Sequence, residues 1–171
     1  MYALVHPFLQ LALLRLRPQD LPHSLLLLSL ALTAHWMLGV LLFAFRLPAP
    51  KAILAGLVGT LLLMVMTVSL LYVNRLMARA VQTLTAMAGV DVVVGVAALP
   101  VSAWLHGNLE SGAASGMPGL LFLLLLGWNL AVAGHVLRHA LNAPLPLGIV
   151  VALVFYVISV TILNNLFPGM G

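Results

Sequence analysis

The chain of 171 residues is 64% hydrophobic and only 6% charged, with a mean hydropathy of +1.21, which is too apolar for water to solvate the surface of a folded domain of this size. Seven Lys and Arg against three acids give a formal charge of +4. Because the basic residues flank apolar runs, they read as anchors at a lipid surface and not as a nucleic-acid footprint. The absence of cysteine excludes disulfides, thiolate catalysis and cysteine-ligated metals.

Residues 1–21 are apolar but interrupted by Pro7 and Pro18, a pattern that predicts an interfacial helix lying in the membrane plane rather than a span. Val5, Phe8, Ala12, Leu13 and Leu16 would share its apolar face. Arg15 and Arg17 follow the apolar stretch and no small-residue cleavage site comes after it, so this segment is not read as a cleaved signal.

Five runs follow that can each supply the roughly 20 helical residues a hydrocarbon core demands: about 24–45, 52–73, 80–105, 119–140 and 147–167. In lipid a segment must satisfy its own backbone, so these runs are predicted as helices. The fold class is therefore all-α: a single integral membrane domain of five spans plus the N-terminal interfacial helix. "RLPAPK" and "NRLMAR" read as tight charged turns, "HGNLESGAASGMP" as a Gly- and Ser-rich loop and "NAPLP" as a proline-marked turn. The short likeness of "LPHSLLLLSL" to "MPGLLFLLLL" is put down to leucine richness and not to a repeat.

Alternate connections divide the Lys and Arg unequally. Arg15, Arg17, Arg75, Arg79 and Arg138 fall on one side as candidate lipid-headgroup contacts, and Arg46 and Lys51 fall on the other. The positive-inside rule then predicts a cytoplasmic amino terminus and an outside carboxyl terminus, in a bacterial inner membrane.

Within the third run Asp91 stands alone among apolar and small residues. At a rise of ~1.5 Å per residue from Ala80 it lies roughly 16 Å deep, near the midplane, where an Asp costs about 2.5 to 3.5 kcal/mol and must face protein or trapped water. Thr85, Ala88, Gly95, Ala98 and Ser102 fall near the same side of the helix, which would let neighbouring backbones approach, and Val92, Val93 and Val96 form the opposite, lipid-facing side. The same depth arithmetic brings His35 and Asn129 to this layer. His35 lies on a small-residue track with Ala31 and Gly39, whereas the small track of the fourth run, Gly127, Ala131 and Gly134, lies nearly opposite Asn129 at 100° per residue. Besides a ligand pocket, two readings stay open for the cluster of Asp91, His35 and Asn129. One is a buried hydrogen-bond set that fixes helix register; the other is a protonatable pair on a proton or ion path.

His135 and His139 share a helical face with Arg138 beside them, a spacing that can hold a metal. A single histidine box without a third ligand reads more simply as part of a basic collar at the lipid headgroups. Hydrolase, zincin and phosphate-loop motifs are missing from the sequence. The expectation is therefore a non-enzymatic protein with no cofactor, whose partners are the lipid bilayer and a second copy of itself or another membrane protein. A scaffold or accessory subunit is the leading expectation and a small proton-coupled carrier the alternative.

The short amino-terminal region, five closely spaced helices, the tight charged hairpin "NRLMAR" and an outside carboxyl terminus together resemble the Yip family of five-span membrane proteins. The segment "RPQDLP" at positions 17–22 is similar to the Asp-Leu element that precedes the first span in that family. The resemblance covers nearly the whole chain and implies a five-span membrane protein. In the eukaryotic members it further implies a role in membrane traffic with Rab-type GTPases. The family's following Gly-Pro pair and long cytoplasmic region are missing, so GTPase binding does not carry over, and for bacterial relatives the implied role is undefined.

Overall fold

The computed structural model describes residues 2–168. The long helices begin and end where the sequence supplies local partners for the backbone. The order is α1 (Tyr2–Ala12), α2 (Leu25–Phe43), α3 (Ala49–Val73), α4 (Ala80–Ser111), α5 (Gly116–Leu141) and α6 (Leu145–Leu166), with 3-10 turns at Pro18–Asp20 and Met77–Arg79. Ser24 opens α2 by accepting the Leu27 N–H on its Oγ at 3.3 Å. Extended prolines, Pro48 and Pro144, precede α3 and α6, and Pro50 and Pro146 occupy first turns in which no N–H is needed.

Four helices are closed by one device. Leu14, Arg75, Gly112 and Asn142 adopt left-handed backbone at φ 60°, 60°, 68° and 53°, which turns the next N–H back onto a carbonyl five residues earlier. The bonds run from Arg15 to Gln10, Leu76 to Leu71, Ala113 to Asn108 and Ala143 to Arg138, at 2.8 to 2.9 Å. One of the four is glycine, so the other three carry the steric cost of a Cβ in this region.

Five of the six helices are long and apolar enough to cross a membrane, and large apolar side chains such as Leu26, Met37, Val65, Val73, Leu123 and Val157 stand exposed around their outer faces. The chain is a multi-pass membrane protein, because only acyl chains can cover such a surface without penalty. The spans agree with the predicted runs to within a few residues, except that α4 continues six residues past Leu105. The expected Gly- and Ser-rich loop is correspondingly reduced to four residues, 112–115. The extension holds because His106 and Glu110 pair one turn apart at 3.2 Å and the Ser111 hydroxyl donates to the Gly107 carbonyl at 2.8 Å. Left-handed Gly112 then stops the helix.

In cross-section the spans neighbour one another in the order α2, α3, α6, α5, α4 and back to α2, with the closing α3–α6 seam the slightest of the five and slighter than a further contact of α3 with α4. Glycines set the tightest crossings. Gly39 of α2 meets Gly56 of α3, so that a Cβ on Gly39 would stand 3.2 Å from the Gly56 Cα. Gly134 of α5 faces Gly148 of α6, where an added Cβ would overlap backbone. The backbones touch where small residues permit it, as expected when lipid supplies no hydrophobic drive between helices.

The N-terminal helix lies outside this ring, against α4 and α5. Phe8 covers Gly89, and Leu11 and Ala12 are buried. The face turned to the bundle is thus Phe8, Leu11 and Ala12, while Val5 and Leu13 of the expected apolar face are exposed. Trp128, next to Asn129, donates its indole N–H to the Ala12 carbonyl at 3.0 Å. Further contacts hold the linker back down to the bundle end: His135 to the Leu16 carbonyl at 2.9 Å, and Gln82 to the carbonyls of Gln19 and Leu21 at 3.1 and 2.7 Å. With α1 on its flank, α4 is buried on every side from Thr83 to Val90, and its expected lipid face opens fully only at Val96.

Candidate intramembrane polar site

Asp91 is delivered by α4, His35 by α2 and Asn129 by α5, three adjacent staves of the ring. Asn129 donates from Nδ2 to Asp91 Oδ1 at 2.9 Å. His35 Nε2 stands 3.6 Å from Asp91 Oδ2, beyond ordinary hydrogen-bond length. The depth arithmetic therefore located three side chains that meet. Asn129, which faces away from its helix's small-residue track, makes the direct bond. That track is divided: Gly134 is packed against Gly148 and Ile149, Ala131 is half-buried, and Gly127 is exposed with open space around its Cα. As a packing residue within this chain Gly127 is a correction, because the ring turns that side of α5 outward above Ala131. Of the small residues on α4, Ala88 is fully buried, Gly95 receives Leu38 of α2, and Ala98 faces the interior.

Thr60 of α3 is a member of the site that sequence reasoning missed. Its hydroxyl donates to the Gly56 carbonyl one turn back at 3.0 Å and lies 2.9 Å from His35 Nδ1. A hydroxyl has one proton. Where that proton stays on Gly56, the Thr60 oxygen is free to accept a hydrogen from His35 Nδ1. Nε2 is then the nitrogen left to exchange a proton with Asp91.

The cluster borders a cavity of about 340 Å³ to which all five spans contribute. The side chains of His35 and Asp91 are 18% and 22% exposed, as befits groups on the wall of a half-open pocket. Among the described residues Asp91 and His35 are the only acid and imidazole on its wall, and no Lys or Arg lines it. Most of the rest is apolar or aromatic, including Met66, Met87, Phe122 and Phe155, with Tyr156 and Ser159 adding hydroxyls on α6. An apolar cluster of Leu47, Ala52, Ala55 and Leu163 lies at the end holding the α2–α3 turn, and a larger one around Leu11, Met87, Val136 and Leu137 lies at the end holding α1.

The remaining candidates fall at that second end. Arg79 donates from one Nη to the His139 and Ala140 carbonyls and to Asn142 Oδ1, at 3.3, 2.9 and 3.0 Å, so it closes the carboxyl end of α5 as a cation there should. Arg15, Arg17 and Arg75 are exposed at this end, and Arg138 is half-buried beside Gly148. His135 is buried and bonded to Leu16, with the His139 ring edge-on at 4.6 Å. No group of three or more metal-ligating side chains forms among the described residues. No family model, curated protein or solved structure matches this chain.

Proposed function

We propose that this membrane protein is a small proton-coupled carrier in which the His35–Asp91 pair holds the proton. The observation that carries the reading is the opening of the pair onto a cavity shared by all five spans. A device that only fixes register needs no such space, and charged groups retained at membrane depth mark substrate or proton paths by default. The apolar clusters at either end of the cavity are what a carrier would part alternately, and the smaller one, at the α2–α3 turn, would part more readily. On the positive-inside rule the end with α1 and most of the arginines faces the cytoplasm, in a bacterial inner membrane.

Reconstitution into liposomes with a trapped pH-sensitive dye tests the reading. With a panel of small cationic, anionic and neutral organic solutes supplied outside, a pH gradient should collapse faster with the wild type than with Asp91→Asn, which keeps the acceptor for Asn129 but not the acid. Equal rates, with both proteins folded, would refute the carrier.

A second reading, a scaffold or accessory subunit, is favoured by one observation: Gly127 lies exposed on α5 with nothing of this chain against it, the kind of position at which another helix approaches closely. Blue-native electrophoresis of Gly127→Leu separates the two readings, since a scaffold would lose its oligomer and a carrier would keep its flux. Membership of the Yip family is a proposal as well, resting on the order of segments and on positions 17–22.

A further inference from the structure

We infer that the cavity takes a small amphipathic organic cation in exchange for the proton of the His35–Asp91 pair, an assignment that rests on the carrier reading and names its substrate class. The wall offers one carboxyl group, no Lys or Arg, and otherwise mostly apolar and aromatic surface. A cationic head has a single place to go, at Asp91 Oδ2, the oxygen not engaged by Asn129 and separated from His35 Nε2 by 3.6 Å. Phe122, Phe155 and Tyr156 can face the body of such a molecule, and a desolvated cation gains from aromatic faces. An anion would meet the Asp91 carboxyl with no Lys or Arg on the wall to balance it. Size is limiting as well: 340 Å³ is at the low end of ligand-pocket volumes.

The proton balance is closed. In the proton-loaded state of this exchange the pair holds one proton, on Oδ2 or on Nε2. With the cation bound, Asp91 is a carboxylate, His35 is neutral with its hydrogen on Nδ1 toward Thr60, and one proton has left. The titratable groups facing Asp91 are few. From α2 there is His35 and from α6 Tyr156, while α3 and α5 present only the neutral Thr60 and Asn129, and α1, on the outer flank of α4, contributes nothing to the cavity wall. One proton released per cation makes affinity rise about tenfold per pH unit across the range in which the pair is loaded.

Radiolabelled benzyltrimethylammonium, a permanent cation of about this size, tests the inference on the purified protein in nanodiscs, with the uncharged carbon isostere neopentylbenzene as competitor. The expected result is saturable binding that strengthens about tenfold per pH unit, releases one proton per site to a pH dye and is lost in Asp91→Asn. Ala98→Phe, which fills the cavity and leaves the carboxyl in place, should abolish binding too, and it covers the case in which Asp91→Asn fails to fold. Equal competition by the neutral isostere without pH dependence overturns the cation and leaves the carrier standing. The cation is overturned in the same way if the probe does not bind while Asp91-dependent proton flux persists. Absence of both binding and flux overturns both readings.

Discussion

The Asp91–Asn129 bond crosses the α4–α5 seam at the depth where water is scarcest, so its loss is measurable. Asn129→Leu keeps the volume and removes the only donor to Asp91 Oδ1. Interhelical hydrogen bonds in membranes average about 0.6 kcal/mol and reach about 1.7, and an acceptor left unsatisfied costs about 1–3 kcal/mol. Asp91 borders a cavity and is 22% exposed, so partial rescue by water places the expected loss near 1.5 kcal/mol, about a tenfold shift in the unfolding equilibrium. The assay is unfolding in mixed micelles titrated with dodecyl sulfate, followed by circular dichroism for wild type, Asn129→Leu, Asp91→Leu and the double variant. Removing both partners leaves neither orphan, so the single effects should not add, and the coupling should reach about 1 kcal/mol. A coupling below about 0.3 kcal/mol, within ordinary additivity, would mean that the 2.9 Å contact does not hold the seam.

Gly148→Ala should destabilise by about 1–3 kcal/mol, because its Cβ overlaps the Gly134 carbonyl and the Arg138 backbone, neither of which can swing aside; Gly127→Ala should shift the melting temperature of the solubilised protein hardly at all, and equal shifts would contradict the packing. Arg75→Gly should stabilise by about 0.5–1 kcal/mol by relieving left-handed backbone at φ 60°, whereas Arg79→Ala should destabilise by about 1–2 kcal/mol through three lost bonds at the end of α5; both are read in the same micelle titration. Gly89→Val would drive Phe8 off α4, and trypsin should then cut after Arg15 several-fold faster by mass spectrometry. An unchanged rate would show that α1 is held by its other contacts.

How legible the site was depended on the kind of information each residue carries. Asp91 announced itself by charge in an apolar run, and His35 followed from counting residues, because depth accumulates along a helix at a fixed rise. Thr60 could not be singled out, since a threonine hydroxyl in a helix is satisfied by its own preceding turn, as it is here by Gly56, whether or not a histidine lies beside it. Asn129 was legible in depth but not in direction: its own helix supplied a small-residue track pointing elsewhere, and only the placement of α4 against α5 turned the amide toward Asp91.

The sequence by itself determined that the chain carries five helices long and apolar enough to cross a membrane, where each begins and ends to within a few residues apart from the far end of α4, and which polar groups share a layer. Those properties are local, set by apolar length, prolines, caps and the rise of about 1.5 Å per residue. The tertiary structure alone decided the order of the ring, the cavity inside it, the docking of α1 on the flank of α4 and the partners of His35 and Asp91. These depend on the rotation of each helix about its axis and on which helices become neighbours. Both are fixed by close packing of glycines distant in the chain, such as Gly39 with Gly56 and Gly134 with Gly148, and lipid, which favours every apolar face alike, leaves no trace of that choice in the hydrophobic pattern.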